Sequence, residues 1–173
     1  LPLFVKPNNS GSSFGVSKVK SKEDIIPAIE NAWQEDNEVV LESFMDGTEL
    51  GVGVFRNEGI IIPLPPTEIR TENEFFDYEA KYTEGKAQEI TPARIDEDMT
   101  RKCQEMAEAI YQLTNCSGII RVDFIIKGNQ VYFLELNSIP GMSEESIIPK
   151  QVHSMGLRME DVLQQVIDGV MGT

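Results

Sequence analysis

Between Gly118 and Asn137 the chain reads as two strand segments, Gly118–Ile126 and Val131–Asn137, joined through Gly128-Asn129, a dipeptide suited to a tight hairpin turn. Residues of one parity share one face of a strand. Arg121 and Asp123 therefore lie together on the first segment, and Glu135 and Asn137 together on the second. The turn decides whether the two pairs meet. A two-residue turn pairs Asp123 with Leu134 and sends Glu135 to the opposite face. A three-residue or bulged turn pairs Asp123 with Glu135 and Arg121 with Asn137. The second register is expected, because the other odd positions, Ile119, Ile125, Val131 and Phe133, do not forbid it.

Two carboxylates and an amide oxygen make a poor zinc site but suit a hard cation, which takes a few protein oxygens and keeps phosphate oxygens for the rest. Asp123, Glu135 and Asn137 are thus candidate ligands for magnesium or manganese bridging a polyphosphate. Acidic residues also populate solvated hairpin faces, and Arg121 decides between the two. It is flanked by apolar Ile119, Ile120, Val122 and Phe124, which implies a partly buried charge cluster, costly unless used or fully paired. An arginine there can donate to an oxyanion developing in phosphoryl or acyl transfer.

Upstream, Leu3–Lys6 reads as a strand stopped by Pro7. Asn8–Gly15 is a turn-rich loop, and Val16–Val19 a returning strand. A strand–loop–strand arrangement is not the Walker pattern, which opens a helix, yet its backbone N–H groups and hydroxyls can cover phosphates. Taken alone the loop reads as an ordinary Gly/Ser hairpin turn. Ser21-x-x-Asp24 resembles a capping box opening a helix with Ile25, Ile26, Ile29 and Trp33 inward, distorted at Pro27. Val39–Phe44, Glu49–Phe55 and Ile60–Pro63 read as strands, the first two of them buried. Glu42 to Met45, at a strand end, could present Glu42 and backbone groups to an adenine edge. A long polar stretch with Tyr78, Lys81 and Tyr82 has the character of a lid. Asp96 caps the longest helix, with Met99, Cys103, Met106, Ala107, Ile110 and Leu113 at core spacing. A last amphipathic helix from about Glu160 carries Val162, Leu163, Val166, Ile167 and Val170.

The formal net charge of -14 opposes general nucleic-acid binding, which needs a positive surface. It leaves room for a nucleotide neutralised locally by a few lysines and a divalent ion. No apolar run reaches the roughly 18 residues of a membrane span, and no signal peptide opens the chain. Cys103 and Cys116 have no ligand-like neighbours and read as free thiols in a reducing cytoplasm. The chain starts without methionine, directly in a strand, and so reads as part of something longer.

Together these segments resemble the D-alanine–D-alanine ligases. Lys6-Pro7 with Gly-Ser-Ser-Phe-Gly-Val-Ser-Lys-Val is similar to that family's phosphate-covering loop, and Phe76-Asp-Tyr-Glu-Ala-Lys-Tyr82 to its substrate-covering loop. Arg121-Val-Asp123 and Glu135-Leu-Asn137-Ser-Ile-Pro-Gly-Met142 are similar to its metal and catalytic segments. The motifs run in the family's order over nearly the whole chain.

The resemblance implies an α+β ATP-grasp fold of mostly antiparallel sheets with flanking helices in two lobes. Residues 1–49 would complete the central lobe and 50–173 form the C-terminal lobe, with nucleotide between them. It implies that Lys6 contacts the α/β phosphates of ATP and that Ser12, Ser13 and Gly15 cover the polyphosphate. Glu42, Phe44 and Met45 would hold adenine, Glu49 the ribose, and Lys81 the transferred phosphate. Asp123, Glu135 and Asn137 would bind two magnesium or manganese ions, and Arg121 would stabilise the tetrahedral intermediate. Tyr82 with Ser12 would orient the first D-alanine. Gly141, Ser146 and Ile147 would meet the second, Ser146 holding its carboxylate, with Glu144 and Glu145 pointing away.

The implied activity is ATP-dependent formation of D-alanyl-D-alanine for peptidoglycan in the cytoplasm. The parent would be a homodimer, and this segment would not turn over alone. Tyr82 favours the dipeptide over a depsipeptide. His153 matches no motif and reads as structural. The alternatives are another ATP-grasp carboxylate–amine ligase and a non-catalytic ATP-binding module.

Overall fold

The computed structural model describes residues 1–10, 13–71 and 87–171. The chain divides into two compact units, Leu1–Asp46 with Thr71–Gln88, and Gly47–Arg70 with Glu89–Thr173.

In the first unit, β1 (Leu3–Pro7) lies between β2 (Ser17–Val19) and β3 (Val39–Ser43) in an antiparallel sheet. Val5 and Val19 point to the face covered by α1 (Ile25–Ala32), where they pack with Ala28 and Ala32 and, at the margin, Leu3, Ile25, Ile29 and Val39. The inward stripe of α1 is thus narrower than its apolar residues suggest, and Ile26 and Trp33 are exposed. Two alanines let the helix sit close to the sheet, and only residues over that stripe are covered. Ser21 donates to the Asp24 carboxylate at 2.6 Å, but Asp24 makes no side-chain cap bond. Pro27 falls in the first turn, where no intrahelical N–H is lost. β3 is an edge strand with Leu41 exposed, rather than the buried strand expected.

In the second unit, β4 (Thr48–Asn57) is the spine. β8 (Ile120–Lys127) pairs along one side of it, and β9 (Gln130–Asn137) pairs β8. On the other side β5 (Ile60–Pro63) pairs Val54–Asn57, and β6 (Thr67–Thr71) pairs Glu49–Gly51, with β7 (Ala87–Ile90) outermost. β6 and β7 are not among the expected strands, because Pro63, Pro65 and Pro66 make the stretch before β6 read as loop.

The sheet is covered on both faces. α2 (Glu97–Leu113) lays Met99, Cys103, Ala107 and Tyr111 on Leu50, Val52, Val54, Ile120, Val122 and Phe124. Asp96 caps it as expected, its Oδ1 accepting from Met99 N–H at 2.8 Å, a bond worth about 1 kcal/mol. Leu113, at the last turn, is 84% exposed; Tyr111 takes the core position instead and donates its hydroxyl to the Gly118 carbonyl at 3.0 Å. On the opposite face α3 (Ile147–Ser154) and α4 (Met159–Met171) pack Ile148, Val152 and Val162 on Phe55, Leu64 and Ile119. Of the apolar α4 residues, Val162 is buried while Leu163, Ile167 and Val170 are exposed. His153 is exposed in the last turn of α3. Both cysteines are free, Cys103 buried and Cys116 half-buried.

Candidate functional site

Arg121 pairs across the hairpin with Asn137, and Asp123 with Glu135. The expected pairing is present, but its cause lies elsewhere. Gly128-Asn129 is a two-residue turn, with Lys127 opposite Gln130 and Phe124 opposite Phe133. The register then shifts by one between Phe124 and Asp123, leaving Leu134 as the extra residue of a β-bulge. The bulge also sends Phe133 and Val131 to the face of Phe124 and Ile126, away from Asp123, so odd positions of β9 do not all share a face.

Asp123 is 2% exposed. Arg121 grips it with both branches, Nε to Oδ1 and Nη2 to Oδ2, each at 2.7 Å. Asn137 Nδ2 donates to Asp123 Oδ2 at 2.8 Å and to Glu135 Oε1 at 3.4 Å. Burial is the main influence on Asp123 and holds its carboxyl above the usual range, against the pull of Arg121. Burial works to lower the Arg121 pKa, but Asp123, with Glu135 and Glu89 behind it, outweighs burial and raises it. The pair is therefore fixed in place and held by mutual charge.

Space for the pair comes from β4. Gly51 stands opposite Asp123 and Gly53 opposite Arg121. Glycines inside a strand mark close approach of other groups, and in Gly51-Val-Gly53 that signal was available in the sequence, where only a strand was read. Among the described residues, no three His, Cys, Asp or Glu side chains gather around one point. The acidic hairpin instead supplies two carboxylates within hydrogen-bond reach of the Asn137 amide. Rotating that amide, an orientation set by the bonding network, turns its oxygen toward the same point. Such an all-oxygen donor set fits a hard divalent cation.

Ser146 starts α3, its backbone extended. Its hydroxyl lies 2.8 Å from that of Ser143, and a β-carbon at Gly141 would meet it at 2.8 Å. Gly141, Ser146 and Ile147 are thus gathered at one helix start. Glu144 and Glu145 are exposed, and the Glu145 carboxylate lies 3.5 Å from Lys150 Nζ, which also meets Glu89 at 3.1 Å.

In the first unit, Lys6 Nζ meets Glu42 Oε2 at 2.7 Å, on the sheet face opposite α1. Beside them Lys18 Nζ stands 3.9 Å over the Phe44 ring, and Phe44 packs edge-on against Phe4. Lys18 was not anticipated as part of this face. Met45 follows Phe44, half-buried. Ser13 and Gly15 have left-handed backbone conformations, and a β-carbon at Gly15 would strike Pro7 at 2.9 Å. The start of the loop is tied down by Asp36, whose Oδ2 accepts from Asn9 N at 2.6 Å and Asn9 Nδ2 at 2.9 Å. Glu49 is half-buried on β4. Ser12, Lys81 and Tyr82 lie outside the described residues.

Residues 1–168 match the family model described as D-ala D-ala ligase C-terminus. The chain belongs to that family. It is 53% identical over 168 residues to the D-alanine--D-alanine ligase of Flavobacterium johnsoniae, covering 97% of this chain and 52% of that protein. Among solved structures, the VanG D-Ala:D-Ser ligase from Enterococcus faecalis is 38% identical with a TM-score of 0.86, covering 96% of this chain and 49% of that one. The D-alanine--D-Alanine ligase from Bacillus anthracis is 33% identical with a TM-score of 0.81, covering 97% and 54%. The chain spans about half the length of the curated relatives it matches. Its fold is accordingly that of the ATP-grasp D-Ala ligases, α+β with antiparallel sheets and flanking helices.

Proposed function

We propose that this chain carries the ATP-, metal- and acceptor-binding part of a ligase that joins two D-alanines through an acylphosphate. The observation that carries the reading is the buried Arg121–Asp123 pair, set beside Glu135 and Asn137 by the bulge. A charge cluster of this burial is costly to keep without a use, and its residue types suit phosphoryl and acyl transfer.

In this reading the carboxylate of one D-alanine attacks the γ-phosphorus of ATP, ADP leaves, and an acylphosphate forms. The amine of the second D-alanine attacks the acyl carbon, loses a proton, and displaces phosphate. The protein does little covalent chemistry; positioning and charge neutralisation supply the rate. Lys6 would contact the α/β phosphates, exchanging Glu42 for them, while Glu42, Phe44 and Met45 take the adenine and Glu49 the ribose. Ser12, Ser13 and Gly15 would cover the phosphates, and Lys81 would meet the one transferred. Arg121 would donate to the oxyanion at the acyl carbon. Ser146, with Gly141 and Ile147, would receive the second carboxylate, while Tyr82 and Ser12 orient the first substrate. Asp123, Glu135 and Asn137 would hold two magnesium or manganese ions, whose chemistry is neutralisation of polyphosphate charge.

On this division residues 50–173 hold the metal and catalytic groups and 1–49 part of the nucleotide site. The product serves peptidoglycan synthesis in the cytoplasm, and the working protein is a homodimer. Among the described residues no helix is long and apolar enough to cross a membrane.

The test is phosphate release from ATP by the natural polypeptide carrying these residues, with D-alanine, D-serine, D-lactate and L-amino acids compared. Release that depends on D-alanine and yields the dipeptide supports the reading. Preference for D-serine would move the chain toward the activity in the VanG structure's title. Tight Mg-ATP binding with no turnover on any acid would leave a non-catalytic module.

A further inference from the structure

The ladder along β4 has a gap. β5 ends at Pro63 and β6 begins at Thr67, and between them Pro65 and Pro66 have no N–H to donate. Leu64 N reaches the Gly53 carbonyl at 2.8 Å, but the Gly53 N–H and the Gly51 carbonyl are met by a side chain instead. The side chain of Gln151, from α3, fills the place. Its Oε1 accepts from Gly53 N at 2.9 Å, and its Nε2 donates to Gly51 O at 2.8 Å and to Thr67 Oγ1 at 3.0 Å. The amide's orientation is forced, because the Gly53 group is only a donor and the Gly51 group only an acceptor. Thr67 in turn shares a hydrogen bond with Thr91 at 2.6 Å. Gln151 is wholly buried, and every polar atom of its amide is used.

The glycines it holds stand opposite Asp123 and Arg121 in the next ladder. A β-carbon at Gly53 would meet Gln151 Oε1 at 2.6 Å, so the residue reaches the strand only because glycine is there. Ser146 is the N-cap of α3, little more than a helical turn before Gln151. One rigid amide therefore fixes the helix that carries Ser146 to the backbone that backs Arg121 and Asp123.

We infer that Gln151 is a positioning residue for the acceptor: it sets Ser146 and the start of α3 at the working distance from Arg121. The inference rests on the ligase reading above. An apolar residue of similar size would fill the volume but leave α3 free to shift along β4, and small misplacements of a bound reactant are expensive in rate.

The experiment compares wild type with Gln151→Met in the natural polypeptide by steady-state kinetics. The KM for the second D-alanine should rise about tenfold, with the KM values for ATP and the first D-alanine held within about twofold. Unchanged KM values for all substrates, or a fall in kcat alone, would overturn the inference, since lost folded enzyme lowers kcat without touching KM. Should Gln151→Met not yield folded protein, Thr67→Val removes one of the three bonds; a rise of roughly two- to threefold in the same KM is expected, and no rise overturns the inference. A wild type without D-alanine-dependent turnover would instead withdraw the ligase reading and this inference with it. An active wild type with indifferent variants would remove the inference alone.

Discussion

A β-carbon on Gly51 would lie 3.3 Å from Asp123 Oδ1 and 3.2 Å from Arg121 Cδ, so the bare backbone at Gly51 is part of the socket for the ion pair. Gly51→Ala should push the guanidinium off its two-point grip on Asp123. The expected cost is about 1–3 kcal/mol, the usual range for overpacking, read as a lower melting temperature by calorimetry. Ligation should fall by a larger factor than stability accounts for, because the displaced group is the proposed oxyanion donor.

Removing one partner of the pair should be worse than removing both. Arg121→Met leaves Asp123 buried without its cation, at a cost of roughly 3–5 kcal/mol. Asp123→Leu added to it should recover most of that stability while leaving ligation abolished. Thermal midpoints of the two single variants and the double variant test this, and additive losses would count against a coupled pair.

Glu68 is buried on β6 and accepts from Arg94 Nε at 3.0 Å and Nη2 at 2.8 Å. Those bonds hold its carboxyl below the usual glutamate range. A depressed carboxyl contributes stability above its unfolded pKa and loses it as pH falls through the lower folded value. Glu68→Gln should therefore be less stable than wild type near neutrality, and the gap should close on acidification. Arg94 is more than half exposed, so the effect is expected to be modest. Denaturant midpoints at neutral pH and at about pH 3 measure it.

These outcomes also mark what the residues disclosed in advance. Asp96 capping α2 was legible because a cap is a contact between residues three apart. The pairing of Asp123 with Glu135 was legible from strand parity, since the other odd positions of the two segments do not forbid it. Its origin was not, since nothing in the local sequence marks Leu134 as the extra residue of a bulge. Trp33, Leu113 and Ile167 fit the apolar stripes of their helices yet are exposed, because periodicity gives the direction of such a stripe and not its width, which neighbouring elements set. Gln151 was out of reach altogether: its partners lie far away in sequence, in a gap that exists only once β5 and β6 share an edge of β4.

Burial pushes the Cys103 thiol up to about 11, leaving almost no thiolate at physiological pH. Iodoacetamide labelling of the native protein followed by mass spectrometry should modify half-buried Cys116 well before Cys103. Labelling of Cys103 should appear only with denaturant. Prompt labelling of native Cys103 would mean that α2 leaves the sheet far more readily than its packing indicates.

The extra residue at Leu134 divides β9 into two stretches that are out of phase. From Gln130 to Phe133 the strand keeps step with the turn, and from Glu135 to Asn137 it keeps step with Arg121 and Asp123. Hydrophobic substitutions at Val131 or Phe133 are thereby uncoupled from the proposed ligands Glu135 and Asn137. A change of loop length at Gly128-Asn129 has a different fate: it would add a second slip to a ladder that already carries one at Leu134. Drift in the turn would be tolerated only where the strand lost or gained a residue to match, so the two positions should vary together or not at all.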